Sequence, residues 1–155
     1  AAVQESEKIG TFGHGFTYGG HPVAAAVALE TLKIYEERNI VDHVRSISPG
    51  FQEGVRQLGR HPLVGEARGV GLVAGLELVK DKETRENFAP TDAVAAYAAR
   101  RAQAHGVITR GLGDVVNLCP PLIIDHDQID DLLTRVKRAL DDTLDWAREK
   151  RLVAG

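Results

Sequence analysis

The chain has 155 residues, 43% hydrophobic and 26% charged, with 19 basic and 22 acidic side chains and a net charge of −3. That is the size of one domain or two small ones, and a weakly acidic balance with only 5% aromatics argues against a polyanion binder or a base-stacking nucleic-acid platform. Apolar runs end at glycine or charge well short of the ~18 residues a membrane span needs, no secretory leader pattern opens the chain, and the single cysteine, Cys119, leaves no internal disulfide, so a reducing cytoplasm is expected.

The first segment, Ile9 to Gly20, carries Gly10, Gly13, Gly15, Gly19 and Gly20. So much glycine opposes both helix and packed strand, and the segment reads as a loop that bends sharply or approaches something closely. A helix starts at Pro22, whose missing N–H costs nothing in a first turn, and runs through Val23 to Arg38. A second helical pattern follows on Val41, Val44, Ser48, Phe51, Val55 and Leu58, with Pro49 predicting a kink or break near Ile47 to Ser48. From Val70 the period becomes two, placing Val70, Leu72, Ala74, Leu76 and Leu78 on one face of a strand. The glycines on its other face, Gly69, Gly71 and Gly75, predict a backbone or ligand crossing nearby. Lys80 to Asn87 reads as an exposed loop. Thr91 or Asp92 is expected to cap a third helix ending near Ala104, with Gly106 as its stop. Short strands are expected at Val107 to Arg110 and Val115 to Leu118, ended by Pro120 and Pro121. Asp125 opens the last helix, with Ile129, Leu132, Leu133, Val136, Leu140, Leu144 and Ala147 as its buried stripe. The fold class is α+β: a small antiparallel sheet of about three strands with helices packed on one face.

The loop from Gly13 to Pro22 suits an anion. Its glycines let backbone N–H groups converge, Thr17 adds a hydroxyl, and the following helix offers the positive end of its dipole. By physics alone a tight turn feeding a helix is the favoured account, because glycine-rich connectors before helices are common. His14 and His21 flank the loop without a third ligand at metal spacing, so no metal site is expected. His105 and His126 read as exposed helix-end residues, and Cys119, between apolar neighbours, as inert.

The string His14-Gly15-Phe16-Thr17-Tyr18-Gly19-Gly20-His21-Pro22-Val23-Ala24 resembles the phosphate-loop segment of class III aminotransferases, the pyridoxal-phosphate enzymes of fold type I that include the ω-amino-acid:pyruvate branch. Two later segments agree in order. Arg68 to Glu77 resembles the first strand of the family's small C-terminal domain; Gly106 to Arg110, Gly113-Asp114 and Pro120-Pro121-Leu122 resemble its closing strands. The resemblance implies that residues 1–40 are the end of a large domain with its phosphate loop and linking helix, and that residues 41–155 are the small domain. It implies that Thr17 donates to the cofactor phosphate across a homodimer interface and that Phe16 lines the same edge. Where the family often has Ser, this chain has Gly19, which removes one side-chain donor.

The resemblance also implies that Arg110 clamps a substrate carboxylate, for which a guanidinium is suited because it grips both oxygens in parallel. The alternative for Arg110 is a strand-end arginine paired with Asp114, and Arg68 is read as a structural anchor for a carbonyl or carboxylate. Such enzymes need a lysine that forms a Schiff base with the cofactor. None of the six lysines, Lys8, Lys33, Lys80, Lys82, Lys137 and Lys150, matches its place, so no catalytic residue is assigned.

The absence of methionine, even at position 1, hints that Ala1 is not a natural start. The expectation is therefore the C-terminal part of an aminotransferase that moves an amino group from an ω-amino acid or amine to pyruvate or another keto acid, inactive by itself. The alternative is a non-catalytic truncated module that binds a partner through the face a large domain would cover. A nucleotide-binding domain of another kind would need a Walker lysine or a G-x-G-x-x-G turn, and neither is present. Aminomutases and decarboxylases share the architecture, so the reaction type is inherited by analogy.

Overall fold

Alanine and leucine dominate the stretch after Pro22, and these are strong helix formers. In the computed structural model, which describes residues 15–153, the stretch forms α1, Pro22–Glu37, with the proline in its first turn. The calls that fall on Lys8, Gly10, Gly13 and His14 lie outside the described residues. The chain divides into two units between Asn39 and Ile40. In the first unit α1 buries none of its side chains, and Val23, Val27, Leu29 and Leu32 are all more than half exposed.

The second unit begins with α2, Ile40–Leu58, whose buried side chains Ile47, Phe51, Val55 and Leu58 recur every three or four residues. Of the kink or break expected near Ile47 to Ser48, the break does not occur: one helix runs through Pro49. The bond that proline cannot make would have gone to the carbonyl of Arg45, and both residues lie on the exposed side, where solvent can serve that carbonyl. Ile47 and Phe51, buried to either side of Pro49, tie both halves to the core, which offsets the ~3 kcal/mol cost of an interior proline.

Four strands follow rather than about three: β1, Val64–Val70; β2, Val73–Leu78; β3, Arg110–Leu112; and β4, Val115–Leu118. They lie in the order β1-β2-β4-β3, all antiparallel. Alternation from Val70 to Leu78 reads as one strand, but a turn at Gly71, with φ of +58°, folds it into a hairpin. Val70 and Val73 become cross-strand partners on the open face, 79% and 56% exposed, while Leu72 is buried in the turn. The first strand, rich in glycine and charge, has weak intrinsic preference and is held by its pairing with β2. The hairpin puts Gly69 and Gly75 on opposite faces, and instead of the crossing backbone or ligand expected there the side chain of Gln52 lies beside Gly69, donating to the carbonyls of Gly71 (2.9 Å) and Val73 (3.3 Å). A Cβ on Gly69 would lie 2.4 Å from the Val73 carbonyl oxygen.

A short 3-10 turn, Pro90–Asp92, precedes α3, Val94–Ala104. Neither Thr91 nor Asp92 caps α3 as expected. Asp92 is spent one turn earlier, accepting the Ala89 N–H through Oδ2 (3.0 Å), and Ala93, in the left-handed region, makes the entry. Gly106 ends α3 with φ of +84°. The strand expected from Val107 starts late, at Arg110, because the Val107 N–H closes the helix end on Ala102 (2.9 Å) and Ile108 is 93% exposed.

The last helix, α4, His126–Glu149, is capped by Asp125 as its sequence predicts. The Gln128 N–H donates to Asp125 Oδ1 (2.8 Å), and the Asp125 N–H donates to Gln128 Oε1 (3.2 Å). Its buried side includes Ile129, Val136, Leu140 and Ala147, with Leu132, Leu133 and Leu144 partly covered. Helices α2 and α3 lie on the sheet face that carries Ala74, Leu76, Leu78, Val116 and Leu118, and α4 closes the layer against both helices. Tyr97 of α3 stacks on Trp146 of α4 at 4.0 Å. The expected α+β architecture, a small antiparallel sheet covered on one face, is therefore present, with one more strand than expected.

Two packing details give predictions. Gly111 faces α3 so closely that a Cβ would stand 2.4 Å from the Ala95 carbonyl oxygen. Gly111→Ala is expected to lower unfolding free energy by roughly 1–3 kcal/mol in urea titrations, with β3 displaced from α3.

The second detail is His61, whose side chain is only 7% exposed. Its Nδ1 accepts the Leu63 N–H (3.2 Å), so the neutral ring carries its proton on Nε2, 3.3 Å from Asp141 Oδ1 but without good hydrogen-bond geometry. Burial pushes this imidazole below the ordinary histidine value, against the upward pull of the Asp141 carboxylate. The unfolded chain therefore takes up this proton more readily than the folded one. The stabilisation is complete above pH of about 6.5 and lost as pH falls through the folded value. In His61→Asn the amide oxygen still accepts the Leu63 N–H, and the difference in unfolding free energy between about pH 7.5 and pH 5.5 should shrink relative to the parent.

Candidate functional site

In the first unit, the turn Thr17–Gly20 leads into α1. The Gly19 N–H donates to the Phe16 carbonyl (2.8 Å) and the His21 N–H to the Tyr18 carbonyl (3.1 Å), so two local bonds hold the loop's shape. A Cβ at Gly19 would come 3.0 Å from the Phe16 carbonyl oxygen, and Gly20 has φ of +76°. The glycine at 19 therefore also keeps the turn tight, a role distinct from the side-chain donor that serine would add. Thr17 is exposed, and among the described residues its hydroxyl has no hydrogen-bond partner. Phe16 and Tyr18 are exposed as well, at 78% and 81%. An uncommitted hydroxyl beside a glycine turn at the head of a sixteen-residue helix fits the donor set an anionic phosphate calls for. His21 occupies the N-cap position without a capping bond, its ring edge-on to Tyr18 at 6.4 Å. Among the described residues no three of His, Cys, Asp and Glu gather as metal ligands would.

In the second unit the open sheet face carries the polar chemistry. The registers Arg68 opposite Gly75, Gly75 opposite Asn117 and Asn117 opposite Arg110 make one row across all four strands. Side chains in such a row share a face. Arg68 donates to Glu77 at 2.6 Å, with Glu66 at 3.7 Å, so it is the carboxylate anchor the sequence suggests. Arg110 is exposed, and among the described residues its guanidinium forms no ion pair. The expected alternative, a pair with Asp114, is not made. The Asp114 carboxyl is instead held above the ordinary range by partial burial and by the Glu77 and Asp92 carboxylates. A guanidinium left without a protein partner is available to a carboxylate from outside.

Elsewhere one expectation needs correction. His105 is not a free helix-end residue: it is part-buried, with Nε2 2.8 Å from Asp142 Oδ2, an oxygen that also accepts from Arg101 at 2.6 Å. These two partners hold the Asp142 carboxyl below its ordinary range. Cys119 is an exposed free thiol. Lys33, Lys80 and Lys137 pair with Glu30, Glu86 and Asp141, and Lys82 caps the carbonyls of Gly59 and His61. The residue that sequence reasoning missed is Asn117, whose amide donates to the Arg110 carbonyl (3.2 Å). An asparagine inside a strand otherwise made of Val and Leu was the available signal.

Residues 1–140 match the family Aminotransferase class-III. The chain is 48% identical over 139 residues to the chloroplastic gamma aminobutyrate transaminase 3 of Solanum lycopersicum, covering 90% of this chain and 27% of that protein. It is 51% identical over 136 residues to the putrescine–pyruvate aminotransferase of Pseudomonas aeruginosa, covering 86% and 29%. Among solved structures, a transaminase with L-Ala superposes with a TM-score of 0.78 at 50% identity, covering 92% of this chain and 34% of that one. The omega transaminase of Pseudomonas jessenii in complex with PMP does so with a TM-score of 0.78 at 46% identity, covering 93% and 32%. The chain thus spans about three-tenths of the length of these relatives. The match takes in both the turn at Thr17 and the sheet face at Arg110, and on that ground the chain belongs to the class-III aminotransferase family.

Proposed function

We propose that this chain is the C-terminal part of a pyridoxal-phosphate-dependent aminotransferase that moves an amino group from an ω-amino acid or amine to pyruvate or another keto acid. The observation that carries the reading is the family match across residues 1–140, which contain an uncommitted hydroxyl at Thr17 and an uncommitted guanidinium at Arg110. Pyridoxal phosphate, when bound, supplies the electron sink and carries the amino group between donor and acceptor. The residues of this chain bind and orient. Thr17 and the N–H groups of its turn hold the phosphate without adding a full positive charge, and Phe16 lines the same edge. Arg110 grips the substrate carboxylate through two parallel N–H donors and so fixes which end of the substrate faces the cofactor.

A homodimer in which Thr17 serves the partner's site belongs to the same proposal. It is supported by the apolar side chains that α1 leaves exposed. The same exposed helix is what favours the second reading, a non-catalytic module that docks through this surface. Cytoplasmic placement is also proposed, supported by a single unpaired cysteine.

The isolated chain, given pyridoxal phosphate, an amine donor and pyruvate, should make no alanine, and borohydride should trap no cofactor on its lysines. A longer reading frame that contains this chain should do both; an inactive longer frame favours the docking module. In that enzyme Thr17→Val should weaken cofactor retention about ten-fold in equilibrium dialysis, the scale of one lost hydrogen bond to a charged group. Arg110→Leu should raise the ratio of KM for an ω-amino acid to KM for the amine lacking its carboxyl by about ten-fold or more.

A further inference from the structure

Among the described residues the guanidinium of Arg110 is unpaired, yet its own carbonyl and the hydroxyl of the preceding Thr109 are both tied to one residue. Strand β3 is an edge strand only three residues long, and Arg110 is its first residue. The chain before it is not in the sheet: Ile108 is 93% exposed. Such a strand end is expected to fray. Two side-chain bonds counter this. The Thr109 hydroxyl donates to the Asn117 carbonyl, and Asn117 Nδ2 donates to the Arg110 carbonyl at 3.2 Å. Asn117 is also the direct cross-strand partner of Arg110. Its own strand, β4, is interior, paired with β2 on one side and β3 on the other. The neighbours Val116 and Leu118 are each 2% exposed. Asn117 is therefore rooted in the core while its amide reaches the open face.

We infer that Asn117, with Thr109 as its second tie, is the positioning residue for Arg110: it fixes the pivot from which the guanidinium meets a carboxylate while leaving the guanidinium itself free. This rests on the reading of Arg110 as the carboxylate clamp. A side chain with several rotatable bonds loses affinity if its root also moves, because each immobilised freedom is taken from binding. A fixed root and a free head confine that cost to the side chain. Direct contact between Asn117 and substrate is not required; its effect passes through Arg110.

The test uses the full-length enzyme containing this chain, with a straight-chain ω-amino acid and the amine lacking its carboxyl as the two donors. Asn117→Val keeps strand preference and removes the amide. The expected result is a rise of three- to ten-fold in the ratio of KM for the amino acid to KM for the amine. No further rise is expected when Asn117→Val is added to Arg110→Leu. A folded Asn117→Val enzyme whose two KM values rise together overturns the inference, and so does an effect that persists in the Arg110→Leu background. If Arg110→Leu shifts the ratio and Asn117→Val does not, only the positioning role fails. If Arg110→Leu leaves the ratio alone, the clamp reading fails and takes this inference with it. Should Asn117→Val not fold, Thr109→Val, which cuts the other tie, is held to the same criteria.

Discussion

A four-stranded sheet covered by helices on one face must alternate, and that alternation controls the second unit. Ala74, Leu76 and Leu78 on β2 and Val116 and Leu118 on β4 go inward to meet α2 and α3. Val73, Gly75 and Glu77, Val115 and Asn117, and Arg110 and Leu112 go to the open side. Burial of the first set is worth roughly 1.5–3 kcal/mol for each large side chain, so the register of every strand is held by the core. The open face inherits its order from that demand. Arg110 and Asn117 stand opposite each other because Val116 and Leu118 must point the other way.

The close approach of α3 to β3 belongs to the same constraint. Gly111 is the inward-facing residue of a three-residue edge strand, and the Ala95 carbonyl occupies the space a side chain would need. Helix and strand meet backbone to backbone there. Gly106 and Val107 bring the chain out of α3 with the left-handed turn that makes this contact reachable.

Much of this architecture was legible in the chain. Pro22, Asp125 and Gly106 mark helix ends by local chemistry, and each acts within a few residues of where it stands. What was not legible depended on partners distant in sequence. Most of β1 carries no periodic signal because glycine and charge dominate it, and only β2 makes it a strand. Pro49 reads as a helix break because the reading cannot see Ile47 and Phe51 locked into a core. Thr17, Phe16 and Arg110 stand out as candidates because their types in that order resemble a family. Periodicity had no part in that. Asn117 was not found, because its meaning lies in a cross-strand bond to Arg110 that no local pattern encodes.

The two-residue period of the edge strand has a consequence for how this region tolerates change. Ile108 is almost wholly exposed within this chain, so core packing does not set its place. The pairing of the edge strand is another matter. A one-residue slip of Arg110 against Asn117 would turn the guanidinium toward α3 and present the glycine to solvent. What must hold is therefore the register of Arg110 against Asn117, which Val116 and Leu118 enforce from the core, whereas the stretch just before it lies outside the sheet.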